Sequence, residues 1–212
     1  MRTVFIDQGD NIYLPEQDLI FLRIPQSGGV WRQGAMRFSC KFVGDGHATL
    51  SQIQTSEDLP LQNAALFLTS IDSWYEAVWT QFSRQRLSTP DLEETRLQAL
   101  DACFDPQLNT FVQNVLDLIP GFYSHYAIEL SAGAQNLCFG RSEHNLRDLT
   151  RILAKHGVPL PSRARHIAVT EDAPQERIDL SLVEQLLAAE ATAREGSRLP
   201  AVYRRGAAYE AT

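Results

Sequence analysis

At 212 residues, with 44% hydrophobic and 21% charged side chains, the chain has a globular composition and can bury a sizeable core, as one large domain or two small ones. No apolar run approaches the ~20 residues of a bilayer span, and residues 1–7 turn acidic too early for a secretory leader, so a cytoplasmic location and no membrane partner are expected. A net charge of −7 and a pI near 5.2 argue against non-specific nucleic-acid binding by the surface as a whole.

Residues 1–58 read as β structure. Short apolar runs occur at 4–6 and at 19–24, the second ended by Pro25. Residues 36–43 alternate apolar and polar, the period-two pattern of a half-buried strand. Gly44-Asp45-Gly46 then reads as a hairpin turn, with a return strand over 48–53.

Residues 61–119 change character. Leu61, Ala65, Leu68, Ile71, Tyr75, Val78 and Phe82 fall at three- and four-residue steps and predict a helix, with Asp58 and Pro60 at its start. Ser88-Thr89-Pro90-Asp91 and Asp105-Pro106 are further start signals, predicting helices over about 90–104 and 106–119, or one kinked helix.

From 121 to 140 the pattern again suggests strands, at 126–130 and 135–139 around a small-residue turn. A helix over 142–156 follows, capped by Ser142 and stopped by Gly157 and Pro159. A short strand at 167–169 and a last helix from Asp179 or Ser181 to about Glu195 complete the chain. The order implies an α+β fold with an N-terminal antiparallel β section, a central helical section and a C-terminal mixed β/α section. The weak point for a boundary lies at 119–122. This divides the chain into 1–119 and 120–196 packed on it, or a single domain of both, and a loosely held tail, 197–212.

Charge sorts along the sequence at one place. Residues 141–166 hold six basic side chains, Arg141, Arg147, Arg151, Lys155, Arg163 and Arg165, against Glu143 and Asp148. Arg147, Arg151 and Lys155 are four apart and share one side of the predicted helix, opposite Leu146, Leu149, Ile152 and Leu153. Phe139-Gly140-Arg141-Ser142 entering a helix has the ingredients of an anion site, but a plain capped turn has the same ones.

No cofactor loop, nucleophile elbow or metal-ligand spacing is visible among His47, His125, His144, His156, His166, Cys40, Cys103 and Cys138. The expectation is therefore no cofactor, no metal and no assigned catalytic residue. Cys138 lies between Leu137 and Phe139 and reads as buried; Glu129 is the one acid in 121–140. Most of Trp31, Trp74, Tyr75, Trp79, Phe122, Tyr123 and Tyr126 are expected in the core, but Trp74, Tyr75 and Trp79 cover more than one face of the predicted helix and are candidate interface aromatics.

These features point first to a non-enzymatic interaction or assembly subunit, an accessory component or inhibitor of a larger complex, that binds another protein. The alternative is an accessory factor contacting nucleic acid through Arg141, Arg147, Arg151, Lys155, Arg163 and Arg165. No aromatic interleaves these residues for base stacking, which lowers the single-strand case. A third reading is an enzyme with a site near 124–144 using His125, Glu129, Arg141 and His144.

Overall fold

The computed structural model describes residues 11–24, 40–44, 48–86, 98–159 and 176–207. Among these are five strands and seven α-helices, an α+β fold. The chain divides into two units, Met1–Leu68 with Ala127–Glu171, and Thr69–Tyr126 with Asp172–Thr212. The expected strands at 4–6 and 167–169, the hairpin tip at 45–47 and the helix start at 88–91 lie outside the described residues.

The first unit is built on a mixed sheet of β1 (Asn11–Leu14), β2 (Leu19–Leu22), β3 (Lys41–Val43), β4 (Asn63–Leu68) and β5 (Asn136–Arg141), in the order β3-β1-β2-β4-β5. β1 pairs antiparallel with β2 and β3, whereas β4 runs parallel to β2 and β5. Between β1 and β2 the chain turns through a 3-10 segment, Pro15–Gln17, and Asp18 at φ 46°. Aspartate tolerates this left-handed region better than most residues. Its Oδ2 then accepts the Gln62 N–H at 3.1 Å, fixing the entry to β4.

One sheet face carries Ile12, Leu14, Leu19, Phe21, Ala65 and Phe67, packed with Leu149, Ile152 and Leu153 of α6 (Asn145–Lys155). The intervening residues Ile20, Leu22, Ala64 and Leu66 are buried as well. A sheet buried on both faces has strands that read as unbroken apolar runs. This is the reason for one correction: residues 63–68 form a strand, and the helix expected from 61 begins only at Ile71. Gly140 is required where it stands, because a Cβ there would lie 2.6 Å from the Phe67 ring.

The hairpin return strand expected at 48–53 is instead the start of α1 (Leu50–Glu57). Thr49 takes the Gln52 N–H on its side chain, and the Gln52 side chain takes the Thr49 N–H, a reciprocal capping box. β3 pairs with β1.

The second unit is helical: α2 (Ile71–Arg86), α3 (Gln98–Ala102), α4 (Leu108–Leu118) and α7 (Leu180–Ala193). Of α5 (Phe122–Leu130), residues 122–126 count with this unit and the rest with the first. Trp74 and Tyr75 of α2 are fully buried, with Trp74 4.8 Å from the Tyr123 ring and Tyr75 6.5 Å from Phe111 of α4. Such edge and offset contacts add to what burial alone contributes. Residues 126–130, expected as a strand, belong to α5, so Glu129 sits exposed on a helix. Within 197–212 the chain is tied down at least twice: Tyr203 O accepts the Ile71 N–H at 2.9 Å, and the Arg205 N–H donates to Asp72 Oδ1.

Candidate functional site

The basic segment begins on β5, which pairs with β4. Successive residues of a strand aim their backbone groups to opposite sides, so alternate N–H and C=O groups of β5 face away from β4. After Arg141 the chain makes one 3-10 turn, Ser142–His144, and enters α6 without a side-chain cap. Ser142 is therefore part of that turn and not the helix cap it was expected to be.

Asp148 supplies what the turn lacks. It lies on α6 beside Leu149, is 1% exposed, and its Oδ2 accepts the Arg141 N–H at 2.8 Å. Its Oδ1 lies 3.5 Å from Arg147 Nε and 3.8 Å from Arg151 Nε. Arg151 reaches back to donate from Nη2 to the Phe139 carbonyl at 2.7 Å. Two backbone groups at the end of β5 are thus satisfied by side chains of the helix that covers it. A strand edge handled in this way offers less of a template to another strand.

The other face of α6 is open. Leu146, Arg147, Thr150, Arg151, Ala154 and Lys155 are exposed, while Asp148, Leu149, Ile152 and Leu153 are buried. Arg147 is 55% and Arg151 50% exposed, and Leu146, expected in the buried stripe with Leu149, is instead 41% exposed because it lies in the first turn of α6, beside the basic residues. The structure thus brings Arg141, Arg147, Arg151 and Lys155 to one strand-turn-helix, and Arg163 and Arg165 lie outside the described residues.

Below this face, Cys138 Sγ lies 3.8 Å from Lys155 Nζ and 3.9 Å from His156 Nε2. Cys138 is half-buried and packs against the sheet core, less enclosed than its neighbours suggested. Burial first, and then the Lys155 charge, push the His156 imidazole below its ordinary value.

The aromatic candidates are placed differently from expectation. Trp74 and Tyr75 are 0% exposed and Trp79 is 9% exposed, its Nε1 donating to the Asp105 carbonyl at 2.9 Å. They are core residues whose polar ends are satisfied internally, and they leave no surface for a partner. Trp31 lies outside the described residues.

Two further acids, which no spacing pattern marks in the sequence, are buried. Glu190 of α7 accepts the Tyr123 N–H at 3.2 Å, the Ser124 N–H at 2.7 Å and the Tyr75 hydroxyl at 3.0 Å. Burial pushes its carboxyl above the usual range, against the pull of these hydrogen bonds. The second, Glu76 of α2, is 1% exposed and pairs with arginines. An acid set among the apolar positions of each helix was the available signal, because a buried carboxylate requires partners.

Among the described residues no group of three or more His, Cys, Asp or Glu is arranged to hold a metal ion, and no helix is long and apolar enough to cross a membrane. Comparison of the chain with protein-family models, with curated proteins and with solved structures finds no match.

Proposed function

We propose that the chain is a non-enzymatic interaction subunit that binds a partner protein through the exposed face of α6, and that the partner presents an acidic surface. The observation that carries this reading is the stripe Arg147, Arg151 and Lys155, exposed next to Leu146 on a helix whose opposite side is anchored in the sheet core. A rigid helix face with exposed guanidinium groups and an apolar neighbour suits a protein interface, where arginine is enriched. Three thiols without a disulfide, Cys40, Cys103 and Cys138, support a cytoplasmic setting for it.

Charge magnitude favours a protein over nucleic acid. Asp148 offsets part of the field of Arg147 and Arg151 from beneath. Backbone binding to duplex DNA grows with the number of phosphates neutralised, and this face offers only Arg147, Arg151 and Lys155 for them.

The test titrates the full chain with a labelled amphipathic peptide rich in Glu and Leu, and separately with a short DNA duplex at the same ionic strength. Peptide binding that weakens at least about tenfold in Arg147→Glu/Lys155→Glu, and also in Leu146→Ser, supports the reading. Peptide binding indifferent to those changes, or duplex binding tighter than peptide binding, overturns it.

A further inference from the structure

The second unit carries an open groove of about 590 Å³ whose lining includes Asp72, Glu76, Arg177, Leu180, Arg204 and Arg205. That volume falls within the roughly 300–1,000 Å³ of small-molecule sites. Its carboxylates are already committed. Glu76 Oε2 lies 2.6 Å from both Arg177 Nη1 and Arg205 Nη2, and Oε1 accepts the Ile178 N–H at 3.2 Å. Asp72 Oδ1 accepts the Arg205 N–H at 2.9 Å. The Glu76 side chain is 2% and that of Asp72 13% exposed, against 52% for Arg177 and 38% for Arg205. The acids therefore lie beneath, holding the arginines, and guanidinium groups face the open side.

Arg204 completes the set. It is exposed, and among the described residues its side chain has no ion-pair or hydrogen-bond partner. Three guanidinium groups over two carboxylates leave one positive charge in excess. Beside them Leu180 is 70% exposed, and the buried Ile178 and Val183 also line the groove.

The geometry points to a binding site for a small organic monocarboxylate with an apolar body. The carboxylate sits on Arg204 and the remaining donors of Arg177, and the body lies against Leu180. The planar guanidinium fork matches a carboxylate in two-point contact. One surplus charge balances a monoanion, whereas a phosphate monoester brings about −1.5 to −2 at neutral pH and leaves the groove negative. The exposed Leu180 gives the apolar body a surface to cover. The site lies in the second unit and does not depend on the reading of α6.

The experiment is calorimetric or NMR titration of the full chain with hexanoate and benzoate, with acetate, hexanol and inorganic phosphate as comparison probes. Hexanoate or benzoate should saturate and bind more tightly than acetate, hexanol or phosphate. Arg204→Ala removes no hydrogen bond or ion pair among the described residues, so it should fold normally and weaken the binding about tenfold or more, the effect of losing a charge-assisted hydrogen bond. Leu180→Ser should narrow the gap between hexanoate and acetate. The proposal is overturned if no carboxylate saturates, if Arg204→Ala binds as the wild type does, or if phosphate binds more tightly than either acid.

Discussion

The Asp148 carboxylate accepts the backbone N–H of Arg141 at 2.8 Å, so an acid on the basic helix terminates the strand that leads into it. Arg151 completes the arrangement from the same helix by donating to the Phe139 carbonyl. The positive stripe of α6 is therefore not uniform. Arg151 serves the fold as well as the surface, and Asp148 moderates the charge from below. Leu146 faces outward, Lys155 is exposed with its ammonium 3.8 Å from Cys138 Sγ, and Arg147 shares its charge with Asp148.

Removing the Asp148 carboxylate should cost more than removing its charge. Asp148→Ala leaves the Arg141 N–H without its acceptor and should destabilise the first unit by about 2–3 kcal/mol, whereas Asp148→Asn keeps an acceptor oxygen and should cost about 1 kcal/mol. Urea denaturation of the three chains decides this, and equal losses would mean that the ion pairs, not the backbone bond, carry the effect.

Arg151 and Arg147 should separate in the same assay although they are similarly exposed. Arg151→Ala gives up the bond to the Phe139 carbonyl and should cost about 1 kcal/mol. Arg147→Ala removes one half-exposed partner of a buried carboxylate that keeps Arg151 and the Arg141 N–H, so it should cost less than Arg151→Ala. Both should weaken binding at the α6 face.

Where the sequence was legible follows from how far the decisive contacts reach. The stripe of α6 is local, with the 3.6-residue period placing Leu149, Ile152 and Leu153 inward and Arg147, Arg151 and Lys155 outward as expected, whereas Leu146, expected inward too, is exposed. The runs at 19–24 and 135–139 likewise correspond to β2 and β5. β4 is different, because a strand buried on both faces has no alternation, and its apolar run merged with the start of α2. Part of α5 reads as strand in the sequence because its aromatic residues suit strands and its N-terminal N–H groups are satisfied by Glu190, 67 residues beyond Tyr123. Asp148 was counted only as a charge, since its bond to Arg141 depends on the turn that folds α6 back against β5.

The contact between Gly140 and Phe67 predicts a compensating pair. Gly140→Ala places a methyl group where the Phe67 ring lies and should destabilise the chain by about 1–3 kcal/mol. Phe67→Leu alone removes packing from the sheet core and should be destabilising too. Combined, the two should cost clearly less than the sum of the single changes, because the shorter side chain vacates the space the methyl group needs. Strict additivity in a double-mutant cycle would rule out the steric explanation.

Glu190 predicts the pH dependence of the second unit. Its folded-state carboxyl is raised above the ordinary 4.5, chiefly by burial, so the fold binds its proton more tightly than the unfolded chain does. The stability from this group is fully present below the unfolded value. It is lost as pH rises through the folded one, where a buried negative charge must form. Glu190→Gln removes that titration while keeping an oxygen for the Tyr123 or Ser124 N–H. The difference in unfolding free energy, wild type minus Glu190→Gln, should therefore fall as pH rises from about the ordinary carboxylate value, then level off above the raised one. Glu190→Ala should be destabilising at every pH by about 2–4 kcal/mol, since it orphans two buried N–H groups and the Tyr75 hydroxyl. Urea midpoints across this range test both statements. A flat difference between wild type and Glu190→Gln would show that the hydrogen bonds fully offset the burial of the charge.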